Sequence, residues 1–156
     1  MYDIDNLTLA EAKNLINYEK NPKTPLDYTY VYNSIATSLV VKRGKYQAII
    51  VDNNQNISYY LDVLVTPVST TFTISLRVQK NNLHLIRFDF GEMLRHKNNY
   101  GKNNEYYVHG SHVHINSLSN KESPKDVVPI SNIDKFKNLK TIQDAFQEFV
   151  VYTNIK

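Results

Sequence analysis

Residues 71–79 have the sequence TFTISLRVQ, in which apolar and polar side chains alternate without a break. Such alternation predicts a strand with one face in a core and the other face in a more polar setting. The polar turn Lys80-Asn81-Asn82 follows, and residues 83–90, LHLIRFDF, then predict a returning strand. Because two strands joined by so short a turn pair antiparallel, this stretch predicts an antiparallel sheet.

Apolar segments before this hairpin extend the predicted sheet. Residues 57–65 form another apolar run, and residues 39–51 predict a hairpin that turns at Arg43-Gly44. The aromatic and β-branched segment YTYVY at residues 28–32 also has strand propensity. We therefore expect about five to seven strands in a single antiparallel sheet.

A helix is predicted near the start of the chain. Thr8 and Glu11 match a capping box, in which each side chain bonds a backbone N–H at the start of a helix. Asn21-Pro22 predicts the end of this helix, because proline disfavours helical geometry in the residue before it.

A second amphipathic helix is predicted at the end of the chain. Thr141 and Asp144 form a cap-like pair ahead of an apolar stripe. The stripe comprises Ile142, Ala145, Phe146, Phe149 and Val150. The predicted fold class is α+β: one antiparallel sheet with an N-terminal and a C-terminal amphipathic helix, forming a single domain over residues 1–156.

Composition excludes several classes of protein. The chain has no cysteine, which excludes disulfides, zinc-thiolate sites and a cysteine nucleophile. No apolar run reaches the ~18 residues of a membrane span, and the acidic start predicts no signal peptide, so we expect the bacterial host cytoplasm as the location. The net charge of +3 neither requires nor excludes nucleic acid, but its sign excludes an acidic nucleic-acid mimic.

Two long polar segments are candidate binding loops. Residues 92–107 and residues 117–129 interrupt the apolar pattern, and binding residues concentrate in loops held on a rigid scaffold. The predicted binding residues in these segments are Arg95, His96, Lys97, Tyr100, Lys102 and Lys121.

The most distinctive segment is HGSHVHI at residues 109–115, which contains three of the five histidines. If it is extended, His112 and His114 share one face, and Val113 lies on the opposite, core-facing side. The same alternation places Arg77, Arg87 and Asp89 on polar faces of the preceding strands. If the strands are neighbours, these side chains converge with the histidines on one polar patch.

Three roles for this patch stay open. A metal site at His112 and His114 needs a third ligand, Asp89 or His109, and because neither is marked by the sequence we assign no metal ligand and no cofactor. Acid–base cleavage of a phosphodiester would use His112 and His114, with Arg87 steadying the charge on phosphorus. A second His-x-Ser/Thr motif, as in phosphoesterases that use two, is absent. The third role is structural, with both histidines hydrogen-bonded to neighbouring strands.

Three segments carry a resemblance: residues 85–90 (LIRFDF), residues 94–98 (LRHKN) and residues 109–115. Together they resemble a family of small uncharacterised proteins from low-GC Gram-positive bacteria, their phages and their mobile elements. That setting implies an antagonist of host defence, such as an anti-CRISPR protein acting on a staphylococcal Cas9.

Two functions follow as expectations. The first is a non-enzymatic binding protein that inhibits a host defence nuclease by steric occlusion; its partner would be a host protein, with nucleic acid neither required nor excluded and no membrane involved. The alternative is a histidine-dependent ribonuclease or toxin that uses the cluster of His109, His112 and His114 with Arg87. Enzymatic activity stays open, with the balance against it because no complete catalytic set is present.

Overall fold

The structure is a computed structural model that describes residues 2–38, 44–66, 71–117, 125–139 and 142–156. The predicted strand at 39–41 and the predicted binding residue Lys121 lie outside the described residues, and so does Thr141 of the predicted cap. The helices are α1 (Leu9–Asn17), α2 (Tyr28–Ser38) and α3 (Ile142–Tyr152), and two 3₁₀ turns cover Ile130–Asn132 and Asp134–Phe136. The strands are β1 (Asn21–Pro22), β2 (Gly44–Asp52), β3 (Ile57–Thr66), β4 (Thr71–Val78), β5 (His84–Phe90), β6 (Arg95–Asn98), β7 (Tyr106–His109), β8 (His112–Ser117) and β9 (Val128–Pro129).

Seven strands form one antiparallel sheet in the order β1-β2-β3-β4-β5-β8-β9. Strands β6 and β7 form a separate antiparallel hairpin. The α+β prediction is confirmed, with a helix near each end of the described chain.

The hydrophobic core lies between the sheet and the helices. Alternation places Ile74 and Phe88 on the core-facing side, where both are fully buried. Phe149 of α3 packs edge-on against Phe88, with ring centroids 5.4 Å apart, and Leu15 of α1 is buried in the same cluster. The opposite face of the sheet carries polar side chains and is called the open face below.

The start of α1 is as predicted. The Thr8 hydroxyl accepts a hydrogen bond from the Glu11 backbone N–H (3.2 Å), and the Glu11 carboxylate accepts one from the Thr8 backbone N–H (2.9 Å). The helix ends at Asn17, earlier than predicted, because Tyr18 is already extended. Asn21–Pro22 instead forms a short edge strand against β2.

The predicted strand at residues 28–32 is wrong, because this segment begins helix α2. The Asp27 carboxylate accepts a hydrogen bond from the backbone N–H of Tyr30 (2.8 Å), which satisfies a free donor at the helix start. Tyr28 and Tyr32, four residues apart, contact each other on one helix face, and Tyr28 also contacts Phe146 of α3. Tertiary packing therefore overrides the strand propensity of these residues.

The predicted loop at residues 92–107 is also wrong in part, because it contains the hairpin of β6 and β7. Asn98 is buried at the end of β6, and its amide donates to the backbone carbonyl of Val127 (2.9 Å). Its side-chain oxygen accepts from the Val127 N–H (2.9 Å). This two-way contact ties a polar segment to the body of the protein.

Candidate functional site

The hairpin lies across the open face of the sheet, above β5 and β8. The backbone N–H of Gly110 donates to the carbonyl of Leu94 (2.8 Å), and the Gly91 N–H donates to the Ser111 hydroxyl (3.0 Å). These bonds join the start of the hairpin to its end. Strand pairing then sets His112 opposite Asp89 and His114 opposite Arg87.

Arg87, Asp89 and His114 meet at one point on the open face. Arg87 donates to Asp89 Oδ2 through Nη2 (2.7 Å) and Nε (3.1 Å), and Thr73 Oγ1 donates to Asp89 Oδ1 (2.9 Å). His114 Nε2 lies 3.1 Å from Asp89 Oδ2 and 2.9 Å from Arg87 Nη2. His112 Nε2 lies 3.7 Å from the same carboxylate oxygen. The convergence expected from alternation is therefore present for these four residues.

The Asp89 carboxylate is ionised in this setting. Burial alone would raise the pKa of Asp89, but the hydrogen bond from His114 and the charge and hydrogen bonds of Arg87 outweigh burial. The pKa of Asp89 consequently lies well below its usual range. The site thus holds a fixed negative charge beside a fixed positive one.

A third histidine joins His112 and His114. His96 of β6 lies with its ring centroid 5.0 Å from that of His114 and 5.5 Å from that of His112. Each of the three offers one ring nitrogen, and these nitrogens lie within 4.8 Å of one another. His112 and His114 are buried, and His96 is half-buried. We call these three residues the histidine cluster.

The hydrogen bonds of the cluster define which nitrogens carry protons. A backbone carbonyl can only accept, so His96 Nε2–H donates to the Lys125 carbonyl (2.9 Å) and His112 Nδ1–H donates to the Gly110 carbonyl (2.8 Å). In the neutral rings, His96 Nδ1 and His112 Nε2 then carry lone pairs. His114 Nε2 donates to Asp89 in the tautomer that protonates it, and it accepts from Arg87 in the tautomer that leaves it unprotonated.

Burial keeps two of these rings neutral. Burial is the main cause that lowers the pKa of His96; the hydrogen bond to the Lys125 carbonyl opposes it, and the charge of Arg87 acts in the same direction as burial. Burial also lowers the pKa of His114, against the opposing hydrogen bond to Asp89. Both side chains are therefore mainly neutral at neutral pH, as a metal ligand or a general base must be.

Two residues expected in the patch lie elsewhere. His109 is exposed at the end of β7, and its ring contacts Tyr107 rather than the histidine cluster. Arg77 lies on the open face but pairs with Asp62 (Nη2 to Oδ2, 3.1 Å) and stacks on the ring of Tyr60. The sequence places His96 in a predicted binding loop and not in the polar patch. Its position beside His112 and His114 depends on the hairpin, which the sequence does not predict.

A cleft of about 760 Å³ runs along the open face beside the cluster. Its lining includes Asp62, Arg77, Arg87 and Asp89, together with Leu94 at the base of the hairpin. The cleft thus contains charges of both signs together with apolar side chains such as Leu64 and Leu94.

The outer surface of the hairpin carries most of the predicted binding residues that the structure describes. Pairing sets Arg95 opposite His109 and Lys97 opposite Tyr107, so these side chains share the side away from the sheet. The Lys97 ammonium lies over the rings of Tyr107 (5.2 Å) and Tyr100 (5.7 Å) and pairs with Glu105 (2.8 Å). We call this surface, made of Arg95, Lys97, Tyr100, Tyr107 and His109, the hairpin outer face. Lys102 is exposed in the turn, and His96 lies beneath the hairpin.

Comparisons with known proteins add one finding. No curated protein and no solved structure matches the chain. Over the ranges that the structure describes, no helix is both long and apolar enough to cross a membrane. The model of the Family of unknown function (DUF6978) matches residues 7–155, and the chain therefore belongs to this family.

Proposed function

We propose that the protein binds another protein through the hairpin outer face and inhibits it by steric occlusion. The observation that supports this most is the exposure of Tyr100 and Tyr107, each 54% exposed, on either side of Lys97. Tyrosine and arginine are enriched at protein interfaces, where a ring supplies apolar area and a hydroxyl supplies a hydrogen bond.

The Lys97 side chain of this face is already ordered. Lys97 is held by two rings and by Glu105, so little side-chain freedom remains to be lost when a partner binds. Binding loses about 0.5–1.5 kcal/mol for each flexible side chain that becomes fixed, and preorganisation reduces this loss. A surface of this kind is suited to binding.

The turn end of the hairpin is also fixed. Asn98 bonds to both polar atoms of the Val127 backbone, and the Asp126 carboxylate accepts from the Asn99 N–H (2.8 Å). The hairpin outer face is therefore presented on a rigid support, as binding residues commonly are.

A protein partner fits this face better than nucleic acid does. Glu105 already neutralises Lys97, which leaves Arg95 as the one unpaired cation among the five residues of the hairpin outer face. Nucleic-acid affinity increases with the number of phosphates that cations neutralise, and one cation supplies little. Exposed rings with few net charges favour a protein surface instead.

The target class comes from the resemblance to proteins of phages and mobile elements. We propose a host defence nuclease, with a staphylococcal Cas9 as the first to test. A standard interface takes about 800 Å² from each partner, so the hairpin would need neighbouring surface as well. Inhibition would follow from blocking access to the nuclease rather than from chemistry.

The test is inhibition of DNA cleavage by guide-loaded staphylococcal Cas9, with binding measured in parallel. We expect the wild-type chain to inhibit and Tyr107→Ala to bind about tenfold or more weakly, as for an interface hot spot. Tyr30→Ala is the matched control, because Tyr30 is 51% exposed but lies on α2, and it should bind like wild type. Absence of both binding and inhibition, or equal loss in the two variants, would overturn the proposal.

A second candidate is the histidine-dependent ribonuclease or toxin. It is favoured by the contact of Arg87 with His114 at the edge of the cleft on the open face. Here His112 or His114 would act as the general acid or base, and Arg87 would stabilise the charge that develops on the phosphate. We expect RNA cleavage by the purified protein that is lost in His114→Ala and kept in His109→Ala. Absence of cleavage, or cleavage that survives His112→Ala with His114→Ala, would remove this candidate.

A further inference from the structure

We propose that the histidine cluster of His96, His112 and His114 binds a divalent transition-metal ion, with zinc as the first candidate, and that this ion ties the hairpin to the sheet. The ligands come from separate elements: His96 from β6, and His112 and His114 from β8. The proposal does not depend on the nuclease-binding function.

The spacing of the three rings is close to what a single ion needs. Their ligand nitrogens lie within 4.8 Å of one another. Zinc–nitrogen bonds are about 2.0–2.1 Å, so nitrogens on a tetrahedral ion lie roughly 3.4 Å apart. Movements of about an ångström, within the range of small ring rotations, would bring three donors to one centre.

Each ring also has a hydrogen-bond acceptor beside one of its nitrogens, as in metal sites. A metal-ligating histidine usually donates its other N–H to a carbonyl or a carboxylate, which fixes the ring and its tautomer. His96 donates to the Lys125 carbonyl and His112 to the Gly110 carbonyl. His114 faces the Asp89 carboxylate, and ion binding would select the tautomer that donates to it. All three rings can therefore present a lone pair at once.

The donor set restricts the kind of ion. Three neutral imidazoles suit zinc, copper or nickel, whereas magnesium and calcium prefer oxygen ligands. Three protein ligands leave one of the four zinc positions to water or another small ligand. The charges of Asp89 and Arg87 stay paired with each other. The Asp89 carboxylate therefore serves as a hydrogen-bond acceptor for His114 and not as a metal ligand.

An ion at this position would have a mechanical consequence. It would add a cross-link between the hairpin and β8, beside the hydrogen bond from Gly110 to Leu94. The hairpin outer face would then be held more firmly in the metal-bound protein. Metal binding and partner binding are measured in different experiments. The failure of one proposal can therefore be told apart from the failure of the other.

The first test is titration of the chelator-treated full chain with Zn²⁺, followed by calorimetry, and with Co²⁺, followed by visible absorption. We expect one ion per chain and the absorption bands of a four-coordinate cobalt site. His96→Gln should weaken zinc binding at least tenfold, whereas His96→Cys, which keeps a ligand atom, should retain most of it. His109→Gln is the matched control, because His109 is an exposed histidine outside the cluster, and it should leave the affinity unchanged.

The second test separates a cross-link from surface binding. On addition of Zn²⁺, amide exchange should slow in β6 and β7 and stay unchanged in β2 and β3. His112→Gln can fail to fold because His112 is buried, so His96→Gln carries the test, with near-ultraviolet circular dichroism to confirm its fold. No zinc binding, or binding as sensitive to His109→Gln as to His96→Gln, would overturn the inference. So would zinc binding without slower exchange in the hairpin.

Discussion

Asp89 organises the site at the scale of single residues. Its carboxylate accepts from Arg87, Thr73 and His114, and its side chain is 14% exposed. A buried pair of charges adds little net stability, but removing one partner leaves the other charge buried and uncompensated. The main role of Asp89 is thus to position Arg87 and His114, which both contact its carboxylate.

We predict that Asp89→Asn destabilises the protein by about 3 kcal/mol, because the Arg87 guanidinium loses its ionised partner. Asp134→Asn is the control, since Asp134 pairs with Lys137 on the surface and should leave stability close to that of wild type. Urea denaturation at neutral pH measures both. Equal effects of the two substitutions would show that the buried network is unimportant.

We predict that His84 makes stability depend on pH in the acidic range. Burial and the charges of Arg87 and Arg77 lower the pKa of His84 from 6.5 to about 4. Between these values the unfolded chain binds a proton that the folded chain does not, so stability falls as pH falls from about 6.5 to about 4. The full loss for this residue is roughly 3 kcal/mol.

The measurement is the free energy of unfolding of wild type and His84→Gln at several pH values. The difference between them should shrink or change sign in favour of His84→Gln as the pH decreases towards 4. A difference that is constant over this range would contradict the shifted pKa of His84.

At the scale of elements, the hairpin of β6 and β7 is the part on which both proposals depend. Its sequence is polar, and its attachment comes from Asn98 and from contacts with residues 125–127. Val108 and Val127 are buried here, outside the main core cluster. The hairpin is therefore an element attached outside the main core by a small set of specific contacts.

We predict that Asn98→Ala loosens the hairpin and costs about 2 kcal/mol of stability, because two polar atoms of the Val127 backbone lose their partner. Asn104→Ala, at an exposed turn position, is the matched control. Amide exchange in β6 and β7 should accelerate in Asn98→Ala alone. Unchanged exchange there would mean that Asn98 does not anchor the hairpin.

Some of these elements could be predicted from the sequence and others could not. The alternation in residues 71–79 and 112–116 predicts the correct faces, because period two is a direct consequence of strand geometry. Helix α2 was missed because tyrosine and valine favour strands locally, while the deciding contact, with Phe146, is distant in sequence. The hairpin was missed for the same reason, since its anchor is Val127. Without the hairpin, His96 could not be placed beside His112.

At the scale of the whole molecule, the two ends of the fold close on each other. Lys20 is fully buried, forms a bridge with Ile155, and donates through Nζ to the carbonyls of Ile16 (2.9 Å), Tyr18 (2.6 Å) and Thr153 (3.0 Å). Burial lowers the pKa of Lys20 to about 8. One side chain thus joins the end of α1 to the end of α3.

We predict that Lys20→Ala destabilises the whole fold by roughly 2–4 kcal/mol, because it removes buried volume and leaves carbonyls without a donor. Lys13→Ala, on the exposed side of α1, is the control and should be near neutral. Thermal unfolding compares them. Similar melting temperatures for the two variants would show that Lys20 does not hold the ends together.

The most direct test of the central claim, binding through the hairpin outer face, is amide exchange of the chain with and without guide-loaded staphylococcal Cas9. We predict that added protection is centred on residues 95–109 and extends only to the surface beside the hairpin, with no change in α1, α2 or α3. Protection on the helical side, or no change anywhere at concentrations that saturate the nuclease, would contradict the claim.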